Sequence, residues 1–175
     1  MPISSAVNPW PNWVNGPIEL FHGTIRSSAE DIVDRKVDLF RCQGNSDFGL
    51  GFYTTTYAEQ AAIFADIQAD NRDGQPAVVC IKLDRERLAR LQTIGFVRGS
   101  LDAIDDWSFV LHCRRGRAHM PPTGRKYDVA YGPVAKAWKG PTDSKLWEGY
   151  DQISFHTPEA IDILNDKSIC TLEIV

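Results

Sequence analysis

Asp47-Phe48-Gly49-Leu50-Gly51-Phe52-Tyr53-Thr54-Thr55 is the stretch on which the fold turns. Two glycines lead into an aromatic and β-branched run, the pattern of a loop feeding a strand. A dinucleotide-binding turn needs a third glycine and sets its glycines between a strand and a helix. Here the third is missing and a strand follows, so a doubly wound nucleotide fold is not expected. Directly downstream, Thr56 and Glu59 stand at capping-box spacing. Ala61, Ala62, Ala65 and Ala69 give the helix they open a small-residue face that fits close against a sheet. Asn71-Arg72-Asp73-Gly74 ends that helix and turns the chain into a strand over Ala77 to Leu83.

Upstream, Ile18 to His22 alternates as a strand does, and Ser28 with Asp31 three residues later predicts a helix start before Ile32 and Val33. Residues 1–16, rich in Pro and Asn, read as an irregular arm whose Trp10 and Trp13 dock on a single domain spanning 17–175. Downstream, the pattern predicts a short helix over Asp84 to Gln92 and a longer one from about Ser100 to Arg115. A strand over Tyr127 to Tyr131 should stop at Gly132-Pro133, and a loop should run from Lys139 to Gly149. Then follow a strand over Gln152 to His156, a helix from Pro158 to about Asn165 capped by Thr157, and a last strand over Ile169 to Val175. Strands and helices mix without regular alternation, which predicts an α+β chain.

At 175 residues and 43% hydrophobic, the chain buries about 70% of its unfolded surface without needing a metal or disulfide framework. No apolar run reaches membrane-spanning length, and Met1 to Ser5 does not open a secretory leader. The four cysteines are scattered with no metal-ligand spacing, so reduced thiols in a cytoplasmic protein without a metal are expected. A net charge of −4 argues against a surface that grips nucleic acid over a whole face. Only Arg114-Arg115-Gly116-Arg117, with Arg125-Lys126 beyond, is locally basic.

Three segments form an ordered set: His22-Gly23-Thr24, then Phe48 to Thr54, then Gln152-Ile153-Ser154-Phe155-His156-Thr157, with Gly132-Pro133-Val134-Ala135 between the last two. Tyr53 lies 31 residues after His22, and Gln152 lies 99 after Tyr53. As a set they resemble the ADP-ribosyltransferase superfamily of the diphtheria-toxin and poly(ADP-ribose) polymerase type, in particular a bacterial branch of domains of unknown function. The resemblance runs from about Ile18 to Leu164. It implies a split β-sandwich of two small sheets with flanking helices, and NAD as substrate.

By that resemblance the backbone of Gly23 holds the nicotinamide carboxamide, its missing Cβ permitting close approach. His22 hydrogen-bonds the adenosine ribose, Thr24 assists at the nicotinamide end, and Tyr53 stacks on the nicotinamide ring. Phe64 falls where a second aromatic would complete a sandwich, and Arg41 is a candidate for the pyrophosphate or adenine side. The third motif departs from the pattern, with Gln152 where the polymerases carry Glu. A neutral amide orients a ribose by hydrogen bonding but supplies no charge to an oxocarbenium-like transition state. Chain elongation is therefore not expected. Of the nearby carboxylates, strand alternation points Asp151 away from Gln152, while Glu148 is a candidate general base.

The reading that results is a mono-ADP-ribosyltransferase acting on a macromolecular acceptor, protein or nucleic-acid base, in the manner of a bacterial toxin or effector. A cognate antitoxin or immunity protein would be its partner. The alternatives are a catalytically silent or weakly hydrolytic NAD- or ADP-ribose-binding module, and an interaction domain built on the Trp-rich arm with Trp138 and Trp147.

Overall fold

The computed structural model describes residues 16–42, 46–96, 103–116, 126–137 and 145–175. Trp10, Trp13, Trp138, Arg117 and Arg125 lie outside that set. Among the described residues seven strands form two antiparallel-dominated sheets. The first has the order β1-β3-β7, with β1 Ile18–Ile25, β3 Pro76–Leu83 and β7 Cys170–Ile174. The second has the order β2-β6-β5-β4, with β2 Phe52–Thr54, β6 Lys145–Phe155, β5 Val129–Ala137 and β4 Thr93–Gly95. The described residues also form the α-helices that flank them: α1 Arg26–Asp34, α2 Ala58–Arg72, α3 Arg85–Leu88, α4 Ala103–Arg114 and α5 Pro158–Asn165. The expected α+β plan of two small sheets with flanking helices is met.

A core between the sheets is made by Leu20, Val79, Ile81 and Leu83 of the first, Phe52, Val129 and Phe155 of the second, and Ile161 and Leu164 of α5. Burial of each such side chain contributes roughly 1.5–3 kcal/mol. A second cluster, Phe48, Phe96, Val110 and Ala130, covers the opposite face of the four-stranded sheet. That sheet is therefore buried on both sides. Among the described residues one backbone pair joins the sheets: Phe21 N–H donates to Thr55 O at 2.8 Å and Thr55 N–H to Phe21 O at 2.9 Å.

Several boundaries differ from the sequence expectation, each because a distant segment supplies what the local pattern seemed to need. Helix α1 starts at Arg26, not Ser28, since the Arg26 N–H finds Gln75 O at 2.7 Å and needs no side-chain cap. The Thr56–Glu59 capping box does not form. The Thr56 hydroxyl and N–H both donate to Asp151 instead, at 2.5 and 2.9 Å, and α2 begins behind Tyr57. Strand β5 runs on through Gly132-Pro133, and its register breaks around Pro133 and Ala135, where a residue without an N–H is tolerated. That extension gives Lys145 and Leu146 a partner, so β6 occupies part of the predicted loop. The Asp84 to Gln92 helix shortens to α3 because Gln92 pairs with Asp128 and leads into β4. Thr157 caps α5 as expected, accepting from the Ala160 N–H at 3.2 Å.

Among the described residues no helix is long and apolar enough to cross a membrane, and no His, Cys, Asp and Glu cluster is fit for a metal ion. All four cysteines are free thiols. Burial pushes Cys113 up to about 12 and Cys42 and Cys170 to about 11, which removes them as thiolate nucleophiles near neutral pH.

Candidate functional site

Strand pairing brings the three sequence motifs together. Thr55, directly after β2, bridges Phe21 beside His22, and Tyr53 faces Ser154 in the register of β2 with β6. His22 Nδ1 lies 2.7 Å from Tyr53 O. A carbonyl only accepts, so Nδ1 carries the proton and the neutral ring presents Nε2 as an acceptor. Burial lowers the His22 pKa and opposes a charged ring, while the bond to Tyr53 O pulls the other way and is the smaller effect. The imidazole also packs on Phe52, with ring centroids 4.5 Å apart.

Because Phe21 exchanges both its backbone bonds with Thr55, strand alternation turns those of His22 toward Val79 on β3. The N–H and C=O of Gly23 then emerge on the free edge of β1, one step past the bridge. The missing side chain has a different explanation from the one expected. A Cβ on Gly23 would lie 1.9 Å from Ala61 O of α2, so the glycine is required by the packing of helix on strand. Thr24 is buried on the opposite face of β1, and its hydroxyl has no partner among the described residues.

The Tyr53 ring sits across β2 from Phe52, edge-on to His156 at 6.1 Å and against the Phe48 cluster. Its hydroxyl donates to Gly49 O at 2.8 Å and accepts from the Phe48 N–H at 2.9 Å. Burial raises its pKa far above the usual tyrosine range. A phenol so committed is a fixed ring, not an acid or base. Phe64, on α2, is 39% exposed and makes no ring contact with Tyr53. Arg41 lies in the exposed turn Leu39–Arg41, with Nη1 2.5 Å from Asp31 Oδ2 of α1. It is tied to α1 by that ion pair. Glu148 falls within β6 instead of a loop, and its side chain lies outside what is described.

Gln152 is buried and fully oriented. Its Nε2 donates to Asp47 Oδ2 at 2.7 Å and to Pro133 O at 2.9 Å. Both partners only accept, which fixes the nitrogen assignment by chemistry. Asp47, 4% exposed, accepts in addition from the Ala135 N–H at 3.0 Å and from Arg114 Nε at 2.9 Å, with a further close Arg114 Nη2 contact. Arg114 therefore points inward and is lost to the basic stretch that the sequence suggested. Asp151 turns away from Gln152, as alternation predicts, and holds Thr55 and Thr56 at the entrance to α2. Asp47 went unrecognised as a site residue. Its only sequence signal is an acidic residue one position before Phe48-Gly49-Leu50-Gly51.

Residues 18–139 match the family described as "Protein of unknown function (DUF3990)". The chain belongs to the DUF3990 family. In this DUF3990 member the matched stretch contains His22, Asp47, Tyr53 and Gly132 to Ala135, and it ends before Gln152. No curated protein matches the chain. Two cavities of the DUF3990 chain stand out, the first away from the three motifs and the second against the apolar face of the third, at Ile153 and Phe155. One, of about 450 Å³, is lined by Arg87 and Arg90 beside α3 and by Glu159 and Asp162 on α5. The other, of about 170 Å³, is apolar and lined by Ile18, Leu20, Val129 and Phe155.

Proposed function

We propose that this DUF3990 protein binds NAD at the edge of β1 and β2 and transfers ADP-ribose to a macromolecular acceptor, a protein or a nucleic-acid base. The observation that carries the reading is the 2.7 Å contact from His22 Nδ1 to Tyr53 O, which joins two motifs 31 residues apart. It does so beside a strand edge on which Gly23 has an N–H and a C=O to offer. A nicotinamide carboxamide needs one acceptor and one donor at that spacing. Neutral His22 accepts a ribose hydroxyl through Nε2, and the locked Tyr53 ring offers a face for stacking. Breaking the nicotinamide–ribose bond places positive charge on the sugar, and the nicotinamide leaves with the bonding electron pair. Gly23 and Tyr53 are suited to hold the nicotinamide end of that bond, and His22 the adenosine ribose at the far end of the molecule. A role as a bacterial toxin or effector, with a neutralising partner, belongs to the same reading.

A second reading, a silent NAD- or ADP-ribose-binding module, is favoured by one observation: both Gln152 amide protons are already committed, and the side chain brings no charge. The two part on one measurement. Full-length protein incubated with labelled NAD should bind it in calorimetry, release nicotinamide and leave label on a macromolecule in cell extract. His22→Ala and Tyr53→Ala should each weaken NAD binding by about tenfold, the loss of one good hydrogen bond or stacking contact. Binding without nicotinamide release selects the silent module, and no binding at all defeats both.

A further inference from the structure

Gln152 has three hydrogen-bonding elements on its amide, and two are spent on acceptors within the fold. The third, Oε1, has no partner among the described residues, although the residue is only 7% exposed. A buried acceptor left unmatched is costly, and it stays where something supplies a donor. Which way the amide faces is set by Asp47 together with the Pro133 carbonyl, and the carboxylate, charged and at 2.7 Å, is the side-chain partner that admits an N–H and repels an oxygen. Asp47 is itself held from three directions, by Arg114, the Ala135 N–H and Gln152. The two residues stand 105 positions apart in the chain, so only the fold makes them a pair.

We propose that Asp47 is a positioning residue that fixes Gln152 as a pure hydrogen-bond acceptor, so that the subsite takes a ligand hydroxyl and refuses an anionic group. This rests on the reading of the site as one for NAD and names a residue that the reading does not contain. In this fold the carboxylate has moved one layer back. Asp47 carries the charge, neutralised by Arg114, and Gln152 faces the ligand as its neutral relay. A glutamate at 152 would then be no gain of function. It would set two carboxylates at hydrogen-bond distance, with the Pro133 carbonyl as a further repulsive neighbour.

The test is an exchange of groups in the full-length chain, with Gln152→Glu, Asp47→Asn and the double variant Asp47→Asn/Gln152→Glu. Gln152→Glu alone should lower Tm by about 10 °C, the scale for a broken buried charge network in a chain of this size. The double variant, which restores one amide facing one carboxylate, should recover at least half of that loss. In calorimetry NAD should bind Asp47→Asn at least tenfold more weakly than wild type, and the double variant more tightly than either single variant. Additive Tm losses, or NAD affinity in folded Asp47→Asn equal to wild type, overturn the inference. Wild-type protein with no affinity for NAD defeats the functional reading and the ligand half of this one. The Tm cycle still decides whether Asp47 holds Gln152.

Discussion

On one face of β6, Ile153 and Phe155 join the apolar core between the sheets. On the other, Gln152 and Ser154, with His156 just past the strand's end, are buried as deeply as Phe155 or nearly so, among hydrogen-bond partners. Two faces of one strand thus reach the same depth by opposite chemistry. Apolar burial stabilises in proportion to area, whereas a buried polar group at best regains through its partners what desolvation costs. The apolar face therefore accounts for the fold. The polar face is the part whose residues are explained by what they hold in place: Asp47 by Gln152, and Leu50 and Ala130 by the Ser154–His156 pair.

The sharpest way to break this contrast is to truncate both faces at adjacent positions. Phe155→Ala should cost about 3–5 kcal/mol, as a fully buried aromatic does. In thermal denaturation that is a fall in Tm of about 10 °C or more. Ser154→Ala should cost about 1–2 kcal/mol. The Ser154 hydroxyl donates to Ala130 O at 3.1 Å and lies 2.7 Å from His156 Nε2, and the alanine removes both contacts. Equal losses at the two positions would remove the distinction between the faces.

The smallest effect concerns pH. Burial lowers the His22 pKa in the folded state, so near its ordinary value of about 6.5 the unfolded chain binds the proton more readily. The stability this confers is present above that value and is lost as pH falls through the depressed folded pKa. His22→Gln should flatten the decline of Tm between about pH 7 and pH 5. An unchanged slope would assign the acid sensitivity to another group.

The strands, the helices and the order of the motifs were legible because each depends on a short window: alternation over Ile18 to His22, small residues along α2, the Thr157 cap of α5. The failures share one cause. Thr56 has the same local signal as Thr157, but Asp151, 95 positions away, binds it first. Pro133 would end a strand in isolation, yet β5 continues because β6 lies alongside it. Asp47 had no window at all, since its meaning comes from Arg114 and Gln152, both far along the chain. The face-by-face alternation that set Asp151 apart from Gln152 was right because it is a property of the strand itself.

Gln60 on α2 has a consequence beyond fastening its helix. It donates from Nε2 to Asp151 O at 2.7 Å and accepts the Asp151 N–H at 3.1 Å, filling the place of a neighbouring strand residue. The ladder of β2 on β6 ends at Thr54 with Ile153, the chain departs after Thr55, and the edge of β1 at Gly23 is left unclaimed. An unclaimed strand edge ordinarily invites pairing with another chain and, through it, aggregation. Here the Phe21–Thr55 bridge interrupts that edge and α2 lies against Gly23, so only a short template is offered to a foreign strand. The fold can keep that edge vacant without becoming sticky.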